Sequence, residues 1–213
     1  MEVNPYIEKL LKETQTPLRW VFTGASIISG ALHTFGYRDF TELFRERVYW
    51  EMRRSRDQFL NSAFGSGMTA KAVLNDFSFR VAHFKPNVCF IMVGGNDARK
   101  NEPLDDYRNQ LRTLCGKIRE LEGYPVLITT IPTGEAIIAD YVAAMREVAA
   151  EQQAGLLDFN ASWPAGAKGV YLKSDPLHPN AEGHILLAHE LFRYCGIWDP
   201  NSVMCRYDNG LQL

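Results

Sequence analysis

The stretch Leu18–Gly30, which reads LRWVFTGASIISG, gives the clearest indication of the fold. Its first six residues, Leu18–Thr23, are apolar and β-branched enough to predict a buried strand. The strand breaks at Gly24, and Ser26 follows two residues later, where the chain must turn towards a helix. Ligands of open α/β sheets bind beyond the carboxyl ends of the strands. Ser26 is therefore a candidate nucleophile, although a serine here is equally typical of a helix N-cap.

Composition excludes several function classes. The 213 residues carry a net charge of -2, with 46% hydrophobic and 23% charged residues. The arginine-rich run 45–56 is interleaved with acidic residues, which indicates a solvated helix face rather than a nucleic-acid surface. The acidic, amphipathic start does not resemble a signal peptide, and the longest apolar run, Val88–Val93, is too short to cross a bilayer. We expect no nucleic-acid or membrane partner.

The four cysteines, Cys89, Cys115, Cys195 and Cys205, form no C-x-x-C pair. Neither a zinc site nor a disulfide framework is indicated by this spacing. A reduced, cytoplasmic protein without metal or cofactor is expected.

Five predicted strands alternate with predicted helices. The strands are Leu18–Thr23, Gln58–Ala63, Asn87–Val93, Pro125–Ile131 and Leu156–Phe159. The helices are Asn4–Glu13, Tyr37–Arg54, Thr69–Phe84, Asp105–Glu122, Gly134–Gln153 and Asn180–Tyr194. This alternation predicts an α/β fold, a three-layer α/β/α sandwich around a five-stranded parallel sheet. We expect one domain over residues 1–213, with 199–213 a tail whose structure the sequence does not indicate.

Polar or glycine-rich turns follow the first three predicted strands: Gly24-Ala25-Ser26, Gly65-Ser66-Gly67 and Gly94-Gly95-Asn96-Asp97. In a parallel sheet these turns share one edge. A fourth polar segment, Asp175–Asn180, is predicted to be a loop before the last helix and holds His178 between Leu177 and Pro179. Two of these segments also have a simpler interpretation: residues 94–97 as a turn that caps the next helix, and residues 175–180 as a proline turn with Asn180 as the N-cap.

Together these segments resemble the motifs of the SGNH hydrolases, the GDSL family of esterases and lipases. The first motif, usually Gly-Asp-Ser-Ile, is here Gly24-Ala25-Ser26-Ile27. Gly67 matches the glycine of the second block, residues 94–97 match Gly-x-Asn-Asp, and residues 175–179 match Asp-x-x-His-Pro. The departure is Ala25, which stands where the family has aspartate.

The resemblance implies a flavodoxin-like α/β/α fold and a set of roles that acyl transfer requires. Ser26 would attack an ester carbonyl, His178 would act as the base, and Asp175 would orient the imidazole. The backbone N–H groups of Ser26 and Gly67 and the side-chain amide of Asn96 would form the oxyanion hole. The family aspartate replaced by Ala25 is not the triad acid, so the triad itself is complete.

The substrate is less clearly indicated. A short-chain or carbohydrate O-acyl ester is the first expectation, with His33, Tyr37 and Trp163 as candidate pocket residues. Two alternatives stay open: a weak or inactive binding protein for an ester or carbohydrate ligand, and a lysophospholipase or thioesterase. The oligomeric state is not indicated.

The main rival to a hydrolase is a dinucleotide-binding enzyme. Residues 65–70, GSGMTA, fit G-x-G-x-x-[G/A] after a predicted strand. That pattern normally sits on the first strand and needs an acidic residue at the end of the next one. Residues 85–93 contain no acid, which argues against this alternative.

Overall fold

The computed structural model describes residues 2–30, 33–164, 171–172 and 175–208. Its centre is a parallel sheet of five strands in the order β2-β1-β3-β4-β5. The strands are β1 (Arg19–Gly24), β2 (Gln58–Asn61), β3 (Val88–Met92), β4 (Tyr124–Ile128) and β5 (Gly155–Leu157). This order is that of flavodoxin-like folds, so the predicted fold class is confirmed.

Helices cover both faces of the sheet. They are α1 (Pro5–Lys12), α2 (Ser26–Ser29), α3 (Phe40–Glu46), α4 (Ala70–Asn75), α5 (Phe77–Arg80), α6 (Gly95–Arg99), α7 (Leu104–Glu120), α8 (Ala136–Glu151), α9 (Phe159–Ser162) and α10 (Ala181–Tyr194). One hydrophobic cluster joins α1, α3 and α10 to the sheet, and the other joins α4, α7 and α8 to its opposite face.

Alternation along the strands divides the core between these clusters. In β3, Phe90 belongs to the cluster with α3 and α10, whereas its neighbours Cys89 and Ile91 belong to the other. All three are fully buried. A parallel strand buried on both faces gives a continuous apolar run in the sequence, which is why β3 was predictable.

Side chains fix the starts of the principal helices. Asn4 accepts hydrogen bonds from Tyr6 N and Ile7 N at the start of α1, and Asp39 forms a capping box with Glu42 at the start of α3. Asn180 accepts from Gly183 N at 3.0 Å. Each cap satisfies backbone donors that a helix leaves unpaired.

Two predicted helices are shorter than expected. The segment predicted as Tyr37–Arg54 is α3 followed by a π-helix at Arg47–Glu51, and it ends before Arg53, whose φ is 57°. The segment predicted as Thr69–Phe84 breaks into α4, α5 and a 3₁₀ turn at Ala82–Phe84. Asn75 and Asp76 stand at the first break, and such residues compete for backbone hydrogen bonds that a helix needs.

The segment around His178 was expected to be a loop, and this was wrong. Asp175–Pro179 forms strand β7, which pairs antiparallel with β6 (Tyr171–Leu172) in a separate two-stranded sheet. Periodicity could not predict such a ribbon, because one of its strands has only two residues and the other contains two prolines.

The first part of the predicted tail is tied to the fold, and residues 209–213 lie outside the described residues. Glu51 accepts hydrogen bonds from Val203 N and from the Ser202 hydroxyl. Arg47 donates to the carbonyl oxygen of Ile197 at 2.9 Å. Within the described part of the chain, no helix is both long and apolar enough to cross a membrane.

Candidate active site

Ser26 stands at a turn that only glycine permits. Gly24 has a φ of 122°, and a Cβ atom added to it would lie 2.0 Å from the carbonyl oxygen of Met92. The next residue, Ala25, donates its N–H to the same oxygen at 2.8 Å. The end of β1 is thus packed directly against the end of β3, and Ser26 opens α2 at the carboxyl edge of the sheet.

Ser26 and His178 are 152 residues apart in the sequence, yet their side chains meet. Ser26 Oγ lies 2.7 Å from His178 Nε2, and Asp175 Oδ2 contacts the other ring nitrogen. A carboxylate only accepts hydrogen bonds, so Nδ1 carries the ring proton and Nε2 is left to accept from the serine hydroxyl. This arrangement suits removal of the serine proton.

Asp175 is itself held in place. Its Oδ1 accepts a hydrogen bond from Leu177 N at 2.8 Å. Burial opposes ionisation, but the hydrogen bonds from His178 and Leu177 outweigh it, and the pKa of Asp175 lies below its usual value. The carboxylate therefore stays charged at any pH at which a neutral imidazole beside it could act as a base.

The structure brings the three expected oxyanion donors to the same cavity, which Ser26, Gly67 and Asn96 help to line. Gly67 has a φ of 66°, a left-handed conformation that glycine adopts at little cost. Asn96 donates one amide hydrogen to the carbonyl oxygen of Met68 at 3.0 Å. An amide nitrogen has two hydrogens, so one remains for a ligand.

The glycine loop and the α6 turn are fastened together. Asp97, fully buried, accepts hydrogen bonds from Ala70 N and Gly94 N, both at 2.8 Å. Lys100 donates to the carbonyl oxygen of Gly67 at 2.7 Å. Burial raises the pKa of Asp97, although these backbone donors oppose the shift. The positions of Gly67 and Asn96 are therefore coupled through one carboxylate.

The cavity beside Ser26 has a volume of about 250 Å³ and opens to solvent. Ser26, His178, Gly67 and Asn96 lie along it together with Ala25 and Leu177. Three polar residues that line the cavity were not predicted from the sequence: Arg99, Thr130 and Thr133. Thr130 follows the end of β4, so the rule that identified the other strand ends would have found it.

The three candidate pocket residues have different surroundings. The His33 ring stacks on the His178 ring, with the centroids 3.9 Å apart. Tyr37 is 51% exposed, and Trp163 packs against the core cluster of α3 and α10. None of these three is among the described residues that line the cavity.

His33, Asp175 and His178 are also the one described group whose ligand atoms could meet at a metal ion, since these atoms lie within 4.8 Å of one another. The two imidazole planes differ by only 11° and are stacked. A metal bound by ring nitrogens lies near the plane of each ring, so one ring would have to leave the stack. The geometry suits a hydrogen-bonded base better than a metal centre.

Comparison with known proteins agrees with this fold and these motifs. Residues 22–186 match the model of the GDSL-like Lipase/Acylhydrolase family, and the chain belongs to that family. A search of curated protein sequences finds no match.

Solved structures show the same fold. An alpha/beta hydrolase enzyme from the metagenome of Lake Arreo, Spain, is 19% identical, with a TM-score of 0.73 over 87% of this chain and 99% of that one. A variant of an acetyl xylan esterase from Geobacillus stearothermophilus is 21% identical, with a TM-score of 0.69 over 87% and 97%. The acetyl xylan esterase AlAXEase is 17% identical, with a TM-score of 0.68 over 81% and 98%.

Proposed function

We propose that the chain is a serine esterase that hydrolyses short-chain or carbohydrate O-acyl esters through an acyl-enzyme on Ser26. The observation that carries the proposal is the 2.7 Å contact between Ser26 Oγ and His178 Nε2 beside a solvent-open cavity. Membership of a family of lipases and acylhydrolases supports the same reaction class.

Acylation would start with Ser26 Oγ attacking the ester carbonyl while His178 Nε2 takes the hydroxyl proton. The carbonyl oxygen becomes an oxyanion, which the N–H groups of Ser26 and Gly67 and the free amide hydrogen of Asn96 would stabilise. Collapse of the intermediate breaks the bond to the alcohol oxygen. His178 returns the proton to that oxygen, and the alcohol leaves.

Deacylation would repeat these steps with water as the nucleophile. His178 removes a proton from water, the hydroxide attacks the acyl-enzyme, and the proton returns to Ser26 Oγ as the acid is released. Asp175 stays ionised throughout and stabilises the imidazolium that forms twice in each cycle.

Cavity size and lining support a small acyl group and a polar alcohol. A volume of about 250 Å³ lies below the ~300–1,000 Å³ typical of pockets for drug-sized ligands. Arg99, Thr130 and Thr133 provide polar groups beside Asn96. Acetyl xylan esterases among the structural relatives point to the same class of substrate.

The test combines covalent labelling with an ester panel. A fluorophosphonate should modify Ser26, as shown by peptide mapping, and 4-nitrophenyl esters should be hydrolysed faster as the acyl chain shortens. An acetylated xylo-oligosaccharide belongs in the same panel. Ser26→Ala should abolish labelling and turnover, whereas Ser29→Ala, in the same short helix, should keep both.

Two results would overturn the proposal. Folded protein that takes no label and hydrolyses no ester would be a binding protein on the esterase fold. A preference for long acyl chains or thioesters over acetyl esters would replace the substrate class with a lysophospholipase or thioesterase.

A further inference from the structure

We propose that His33 is a positioning residue of the esterase, a neutral imidazole stacked on His178 that fixes the plane of the base and stabilises its protonated form. The inference rests on the proposed function, because it assigns His178 as the base. It changes the role expected for His33, which was that of a pocket residue.

The first observation is the geometry of the pair. The two ring centroids are 3.9 Å apart and the planes differ by 11°. His33 is 7% exposed, and its backbone N–H donates to the carbonyl oxygen of Gly30 at 2.8 Å. Burial and this backbone bond to Gly30, the residue after α2, hold the ring against His178.

The contacts of His178 with Ser26 and Asp175 leave one motion of its ring unrestrained. Ser26 and Asp175 hold His178 through its two ring nitrogens. These contacts fix the line between the nitrogens but allow the ring to tilt about that line. A flat ring on one face removes this tilt, and a base aimed correctly before the reaction raises the rate.

His33 can also stabilise protonated His178 electrostatically. An aromatic face attracts a cation that lies within about 6 Å of the ring centre, and His178 becomes a cation in each half of the cycle. The attraction requires His33 to stay neutral. Burial and then the neighbouring His178 lower the pKa of His33, while Asp175 opposes them, and the net shift favours the neutral ring.

Three titratable groups surround His33. Asp175 and His178 face it from β7, and His184 interacts with it from α10. The pKa of His184 is lowered to about 3 by burial. His184 therefore remains neutral, and Asp175 is the one charge among these groups before the reaction starts.

The aromatic face of His33, and not its ring nitrogens, gives both the stacking and the electrostatic effect. His33 Nδ1 is buried without a hydrogen-bond partner in the described part of the chain. A phenylalanine would pack equally flat without burying an unpaired nitrogen. The phenyl ring is therefore the informative replacement, because it keeps the face and removes the nitrogens.

The experiment compares His33→Phe with His33→Leu, using 4-nitrophenyl acetate as the substrate. His33→Leu excludes water but has no aromatic face, so kcat should fall about tenfold with KM nearly unchanged. The acidic limb of the pH–rate profile should move to lower pH, because the imidazolium loses stabilisation. His33→Phe should keep kcat within about threefold and leave the limb in place. His189→Leu, a change at another histidine with an unpartnered ring nitrogen, is the control and should alter neither value.

Equal kinetics for His33→Leu and the wild type would overturn the inference, as would an equal loss in His33→Phe and His33→Leu. A second measurement does not need turnover: NMR titration of the His178 ring should show a lower midpoint in His33→Leu than in the wild type. An unchanged midpoint would overturn the stacking effect. Absence of ester hydrolysis by the wild type would instead reject the proposed function, and the NMR result distinguishes the two failures.

Discussion

Asp97 accepts a hydrogen bond from the backbone N–H of Ala70 at 2.8 Å, which links α6 to the first residue of α4. The second oxygen of the same carboxylate accepts from Gly94 N at 2.8 Å. The loop that carries Gly67 and the helix that carries Asn96 are therefore set relative to each other by one buried side chain. The geometry of the proposed oxyanion hole would therefore depend on the hydrogen bonds of Asp97.

Asp97→Ala should destabilise the fold strongly, because it leaves two buried N–H donors unpaired. Each such donor costs about 1–3 kcal/mol, so the free energy of unfolding should fall by roughly 2–6 kcal/mol. Urea denaturation measures this change. Asp76→Ala, which removes a half-exposed partner of Arg80, should cost less than about 1 kcal/mol. Similar losses in the two variants would contradict the structural role of Asp97.

Asn96→Ala should reduce kcat by about 100–1000-fold, the usual cost of removing one oxyanion donor. Some stability should be lost as well, because the bond to the Met68 carbonyl oxygen also disappears. Lys100→Ala is the matched control: it frees the Gly67 carbonyl oxygen but removes no donor to the oxyanion. Steady-state kinetics on folded protein should therefore show a much smaller decrease in kcat for Lys100→Ala than for Asn96→Ala.

Asp175→Asn should lower kcat by up to ~10⁴-fold with little change in KM, because the amide favours the wrong tautomer of His178. In the wild type, kcat/KM should fall on the acidic side, because a general base that already holds a proton cannot accept one from Ser26. Asp175 should not add a second step in that range, since its pKa lies below its usual value. A pH–rate profile that is flat into mild acid, together with an active Asp175→Asn, would refute the proposed base.

Ala25→Asp should stabilise the fold. Ala25 is the N-cap of α2, has an extended backbone, and makes no side-chain cap. A carboxylate at this half-buried position can accept from the first N–H groups of the helix, which typically gives ~0.5–2 kcal/mol. Thermal unfolding measures the gain, with turnover expected to persist because Ser26, Asp175 and His178 are unchanged. A lower melting temperature would mean that the carboxylate is buried without a donor.

The fold should lose stability in mild acid because of the buried His184 and the half-buried His189. Burial lowers the pKa of His184 to about 3 and that of His189 to about 4. In the unfolded chain both histidines bind a proton near the ordinary histidine pKa of about 6.5. The folded state is therefore fully stabilised above pH 6.5, and this stabilisation is lost as the pH falls towards 4. Each histidine should contribute up to ~1.4 kcal/mol per pH unit in this window.

Denaturation curves at a series of pH values would measure this slope. His189→Leu should reduce it, whereas His83→Leu, at an exposed position, should not. A free energy of unfolding that does not change between pH 6.5 and pH 4 would show that His184 and His189 do not gain protons on unfolding.

The sequence by itself determined the layered fold and the order of the motifs along it. Alternating apolar segments predicted a parallel sheet, and β3 was the clearest because a strand buried on both faces is apolar throughout. Glycine and polar residues at strand ends then placed Ser26, Gly67 and Asn96 on one edge, since parallel strands bring these ends together. Local chemistry is sufficient for such inferences.

Only the tertiary structure decided what depends on contacts between distant segments. The Ser26–His178 contact spans 152 residues, and the β6–β7 ribbon that carries His178 has no periodic signal. The stack of His33 on His178, the Asp97 link and a cavity of about 250 Å³ likewise arise from side chains on separate elements. Sequence patterns report the burial of each element on its own, whereas distances within a site are set by how the elements pack against one another.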